Sequence, residues 1–179
     1  GKPLPFRGKP KYVINNPDYL TMSKAISNAP VKTVVIDDSQ YMMAFDFFDH
    51  AKETGYQKFT DLALNFKNLI DVVRKFSPED EIVYFLHHIE TMNDGKIKAK
   101  TIGKMLDEKL TIEGLFSVVL MCRTDGKRHY FETQSDGNTT AKSPIDMFEA
   151  EIDNDLKLVD QTIRDYWELN NTEKETDKK

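Results

Sequence analysis

Apolar residues in this chain fall into short continuous runs separated by longer periodic stretches. Val34-Val35-Ile36 and residues 82–86 are continuous runs, the pattern of strands buried on both faces of a parallel sheet. Residues 116–122 predict a third such strand. Between the first two runs, residues 40–76 read as helical, with a break near Thr54-Gly55. The later part is well patterned: Phe59, Leu62, Leu64, Phe66, Leu69, Ile70, Val73 and Phe76 recur mostly at threes and fours. Before the first run, Tyr12-Val13-Ile14 predicts a short strand. A helix over residues 18–27 follows, with Asp18 near its start.

The second half is more broken. Residues 90–103 read as a polar loop, followed by a short helix at 104–110. Asp125-Gly126 separates two strand-like runs, a hairpin signal. Residues 129–133 are the return strand, 135–144 a Gly-, Asn-, Thr- and Ser-rich loop, and Met147-Phe148-Glu149 a turn. A closing helix over 154–167 places Leu156, Val159, Ile163, Tyr166 and Trp167 on one side. Residues 170–179 are charged and without apolar residues, the composition of a disordered tail. The expected fold is α/β, a mostly parallel sheet with helices and an antiparallel hairpin near its end. The expected division is one domain over residues 1–168 and a tail over 169–179.

Composition narrows the function classes. With 179 residues, 39% hydrophobic and 31% charged, the chain can bury one sizeable core. A net charge of −5 gives no overall pull towards nucleic acid, so such binding needs a local basic patch. The single cysteine, Cys122, excludes an internal disulfide and agrees with a reducing cytoplasm. No apolar run reaches membrane-spanning length.

The chemistry concentrates where the first apolar run meets Asp37 and Asp38. Adjacent acids cannot continue a strand into a core, so they belong at its carboxyl end, the edge where open α/β sheets bind ligands. The pattern is similar to a Walker B element, whose aspartate serves Mg²⁺ on a nucleotide phosphate. It is equally the pattern of a strand followed by an Asp N-cap. His87 and His88 end the second run. With one cysteine and two neighbouring histidines that diverge, the residues give no zinc ligand set.

Four stretches carry a resemblance: residues 1–8 (GKPLPFRG), 35–42 (VIDDSQYM), 100–107 (KTIGKMLD) and 136–144 with its TAKSP ending. In order and spacing they resemble phage RecA-like P-loop ATPases of the single-strand annealing recombinase group. The likeness covers residues 1 to about 167. It implies a Mg²⁺-dependent ATPase in phage DNA recombination or replication, in the host cytoplasm, working as a homo-oligomer on single-stranded DNA. A helicase-loader ATPase is the runner-up within that class. A non-catalytic nucleic-acid-binding or scaffold module is the alternative outside it. No Gly-x-x-x-x-Gly-Lys-Ser/Thr occurs in these residues. The resemblance therefore implies a fragment whose phosphate loop lies upstream, and which alone does not turn over ATP.

The resemblance also implies roles. Asp37 serves Mg²⁺ through a water, and Asp38 is the acid beside the nucleotide that orients the attacking water. His87 and His88 stand where a polar residue senses the γ-phosphate; otherwise they are strand-end histidines, one packed and one solvated. Lys96, Lys98 and Lys100 alternate, so an extended loop would carry all three on one side towards single-stranded DNA, with Lys104 just beyond. A lysine-rich surface loop is the other reading, since no aromatic residue lies between 90 and 103 to stack on bases. Lys142 would reach a neighbouring subunit's nucleotide, or is a lysine in a surface turn.

Overall fold

A computed structural model describes residues 11–169. The expected tail at 170–179 and the GKPLPFRG stretch at 1–8 lie outside the described residues. Helix α1 (Tyr19–Ser27) is capped by Asp18, whose carboxylate accepts the Thr21 amide at 2.7 Å. Strand β1 (Thr33–Ile36) leads into α2 (Ser39–Asp49) and α3 (Gln57–Phe76), then β2 (Ile82–Phe85). The break between α2 and α3 falls at Gly55, whose φ of +94° suits glycine.

β1 and β2 pair in parallel, with Thr33 opposite Ile82 and Ile36 opposite Phe85. The period of two then sorts the side chains onto two faces. Ile36, Val83 and Phe85 pack with Ile26 of α1 and Leu69 of α3. Ile82 and Tyr84 face the other way, against Val159 and Ile163 of the last helix, α5 (Leu156–Tyr166). Two strands are thus covered by helices on both sides. The expected mostly parallel sheet is corrected: this pair is the only parallel pairing among the described residues. With so narrow a sheet, Val35 is 45% exposed rather than buried.

The remaining strands are antiparallel. The predicted loop at 90–103 is instead mostly a hairpin, β3 (Ile89–Thr91) with β4 (Ile97–Ala99), closed by a turn with Gly95 at φ +84°. Its apolar alternation is too short to stand out against the lysines. The predicted strand at 116–122 begins only at β5 (Met121–Thr124); before it, Val119 makes an isolated bridge to Lys142. The hairpin predicted at Asp125-Gly126 is present, joining β5 to β6 (His129–Glu132), and Gly126 has φ +84°. A third strand, β7 (Glu151–Asp153), pairs with β6 just past the predicted turn. Tyr12–Ile14 forms no strand. The short helix α4 (Lys104–Lys109) and a 3₁₀ turn at Ile112–Leu115 complete the chain.

The largest core joins Met43, Leu62, Ala63, Phe66, Ile70, Leu106 and Ile112, so α2, α4 and the 3₁₀ turn all rest on α3. Leu64 and Phe76, on the predicted apolar face of α3, are 47% and 63% exposed. No helix among the described residues is long and apolar enough to cross a membrane.

Glu81, just ahead of β2, is 8% exposed, and among the described residues neither carboxylate oxygen has a hydrogen-bond partner. Burial pushes its carboxyl up, outweighing the nearby Ser77 hydroxyl. An acid raised in the folded state destabilises the fold at every pH above its unfolded value. Glu81→Gln should therefore stabilise the protein at pH 7 by about 1 kcal/mol. The gain should fade as the pH falls through the ordinary glutamate value, 4.5. Thermal melts at pH 7 and pH 4 check it; an equal gain at both would mean that charge is not the cause.

Candidate active site

β1 ends at Ile36, one residue before the acids, and both Asp37 and Asp38 lie at the carboxyl edge of the parallel pair. The peptide bond between them is cis. Asp37 is exposed, and its carboxylate has no protein partner among the described residues. Asp38 stands at the N-cap position of α2 but makes no side-chain cap. Its Oδ2 instead meets His88 Nε2 at 2.7 Å, while its Oδ1 is enclosed and unpartnered. The reading of Asp38 as a capping acid is thereby corrected in favour of a carboxylate–imidazole pair.

Ser39, the first residue of α2, locks this corner. It is fully buried. Its amide donates to Leu86 O at 2.8 Å, and its Oγ lies 2.9 Å from the same oxygen and 2.8 Å from His87 Nδ1. His87 Nε2 is 2.8 Å from Lys100 O. A carbonyl only accepts, so Nε2 carries the proton and Nδ1 is the acceptor of the neutral ring. Burial holds His87 below the ordinary histidine value, in agreement with a neutral imidazole. A hydroxyl has one proton, so Ser39 serves His87 Nδ1 or Leu86 O in turn. His87 also packs on Phe66, ring centroids 5.7 Å apart.

The two histidines therefore divide as strand-end residues do. His87 points inward, with both nitrogens engaged; the His88 side chain is 55% exposed. Lys100, just past β4, donates its amide to His88 O at 2.8 Å, so its own backbone serves both the His87 ring and the His88 carbonyl. Tyr41, in the first turn of α2, sets its ring against His88 with centroids 5.6 Å apart at 77°. Ser39 and Tyr41 carry no chemical signature of their own in the sequence, although both belong to the stretch that carries the acids. The signal available was their spacing, one and three residues beyond Asp38.

The lysines are distributed differently. Lys96 and Lys98 flank and enter β4, which does place alternate residues on one side, but each has an acid beside it. Lys96 Nζ lies 3.4 Å from Asp94 and Lys98 Nζ 3.3 Å from Glu90. Lys100 and Lys104 are exposed. The hairpin thus carries less net positive charge than its lysines suggest. Lys142 is held by its backbone, donating to and accepting from Val119 at 2.8 Å each. Its ammonium has no protein partner among the described residues.

Among the described residues no group of three or more His, Cys, Asp or Glu side chains is placed to close around a metal ion. The edge offers one free carboxylate, one carboxylate committed to a histidine, and one exposed imidazole. No family model matches this chain, and neither a curated protein nor a solved structure matches it.

Proposed function

We propose that this chain contributes the acidic edge of a Mg²⁺-dependent nucleoside triphosphatase that acts with single-stranded DNA. The observation that carries the reading is the free Asp37 carboxylate beside the Asp38–His88 pair. Both sit at the carboxyl end of a helix-crossed parallel strand pair, the place where α/β proteins bind ligands. Mg²⁺ takes one or two carboxylates and fills its octahedron with waters and phosphate oxygens, so it needs no protein cage. Asp37 fits that requirement: it is exposed, and among the described residues its carboxylate has no partner.

In this reading Asp37 would hold Mg²⁺, which when bound would supply positive charge against the triphosphate. The rest belongs to the chain. Ser39 and the engaged His87 fix the ends of β1 and β2 relative to each other. The Asp38–His88 pair stands on the side of the reacting water. Phosphate binding is assigned to no residue here, because these 179 residues hold no phosphate loop. Lys142, whose ammonium has no partner among the described residues, is the cation we assign to a neighbouring subunit's nucleotide in an oligomer.

The test uses the complete gene product. Asp37→Asn should abolish Mg²⁺-dependent ATP hydrolysis, a loss on the order of 10³-fold, while leaving the melting temperature within a few degrees. Unchanged turnover would remove Asp37 from the metal and the reading with it. Running the assay with and without single-stranded DNA tests the partner. Nucleotide binding without any turnover would favour the non-catalytic module.

A further inference from the structure

We propose that Asp38 and His88 act as a base dyad, with Asp38 as the positioning residue and His88 Nδ1 as the atom that takes the proton from the attacking water. The proposal rests on the nucleotide-hydrolysing reading and changes its chemistry: the acid next to Asp37 does not face the water itself.

Three observations support it. First, among the described residues the Asp38 side chain has one protein partner, His88 Nε2 at 2.7 Å, and its other oxygen is enclosed and unpartnered. A carboxylate so placed has its charge directed at the imidazole rather than shared among backbone amides. Second, the pair fixes the tautomer. A carboxylate accepts, so Nε2–H is the donor and Nδ1 carries the free lone pair. Third, the ring is held but not enclosed. Its backbone oxygen is bound by the Lys100 amide, Tyr41 meets the ring at 5.6 Å, and yet the side chain is 55% exposed. Nδ1 has no protein partner among the described residues. His87 is the internal contrast, since Ser39 and Lys100 O occupy both of its nitrogens. Of the two adjacent histidines, His88 alone can move a proton to or from solvent.

The step balances without any redox partner. A water oxygen forms a bond to the terminal phosphorus of the nucleoside triphosphate. The bond from that phosphorus to the bridging oxygen breaks, and its electron pair stays on the diphosphate. The water's proton goes to His88 Nδ1 and then to bulk water, which restores the neutral ring. The Asp38 carboxylate stabilises the imidazolium between these events, as an orienting acid does in other carboxylate–histidine pairs.

The experiment follows ATP hydrolysis and nucleotide affinity in the complete gene product, with folding of each variant checked by its thermal melt. His88→Ala should lower kcat about 10²- to 10⁴-fold, the usual contribution of a positioned base, with little change in the Kd for Mg²⁺·ATP. Added imidazole should restore turnover to His88→Ala in a saturable way, since the small base can occupy the vacated place. It should not rescue Asp38→Asn, where the ring is present but misdirected, nor His87→Ala. Asp38→Glu should recover part of the kcat lost in Asp38→Asn. Unaltered kcat in His88→Ala, or a loss that imidazole does not relieve, overturns the dyad while leaving the nucleotide reading standing. Absence of hydrolysis in the unsubstituted protein overturns both.

Discussion

Replacing Arg164 by alanine should destabilise the protein by about 3–5 kcal/mol, the cost of breaking a largely buried ion pair by removing one partner. Arg164 is 8% exposed on α5. Its Nε donates to Asp160 at 2.7 Å, one terminal nitrogen to Asp80 O at 2.9 Å, and the other to Lys32 O at 2.6 Å and Thr33 Oγ1 at 3.0 Å. Asp160 in turn accepts from Thr33 Oγ1 at 3.0 Å and Tyr84 Oη at 3.2 Å. One planar side chain thus joins α5 to the residues that open both parallel strands. Alanine would strip the guanidinium from three backbone or hydroxyl oxygens and leave Asp160 without its cation. For a chain of this size the melting temperature should fall by about 6–20 °C. Arg164→Lys should recover only a minor part, because an ammonium cannot serve several acceptors in fixed fork geometry. Equilibrium denaturation of the two variants checks both statements. A loss under 1 kcal/mol in Arg164→Ala would mean that α5 is held chiefly by its apolar face.

This network also shows where sequence reading stops. Val159 and Ile163 are visible as an apolar stripe, and both are buried in the structure. Arg164 looks like a solvated helix charge, because nothing in its neighbourhood announces acceptors more than eighty positions away. The crossover unit is legible for the opposite reason. β-branched runs, an amphipathic α3 and glycine at the break are local signals, and the structure agrees with them. What local pattern could not supply was the width of the sheet. Parallel pairing depends on contacts far apart in sequence, and the run at 116–122 failed to form the third parallel strand. β3 and β4 are not legible, because three-residue strands carry almost no periodicity and their lysines suggest a loop.

The site divides in the same way. That Asp37, Asp38, His87 and His88 lie at one edge follows from two strands ending at comparable positions, which the apolar runs show. Which histidine is engaged and which is exposed is decided by Ser39 and by the backbone of Lys100, and both reach the site through tertiary packing. Lys100 illustrates the limit. Sequence singled it out for its ammonium, whereas the structure uses its amide and carbonyl.

Phe66 connects that edge to the core, and Phe66→Ala should show it in two separate measurements. The ring is 1% exposed at the centre of the largest core, between α2, α3 and α4. Truncating a buried phenylalanine costs about 3–5 kcal/mol, the spread reflecting how far the cavity collapses. Phe66→Leu should cost much less, since most of the volume stays filled. The second measurement is the titration of His87, whose ring lies 5.7 Å from that of Phe66 and is held below the ordinary 6.5 mainly by burial. A folded-state histidine lowered in this way supports stability fully above pH 6.5. That support is lost as the pH falls from there, because the unfolded chain binds a proton that the folded chain resists. His50, raised by the Asp46 carbonyl, works in the opposite direction, so the informative quantity is the difference between variant and parent. Opening a cavity beside His87 should admit water, move its titration upward, and shrink the acid-side loss of stability attributable to it. NMR titration of the His87 ring in both proteins decides the matter. If Phe66→Ala loses the expected stability but His87 titrates as before, the core holds the fold without setting the polarity at the site.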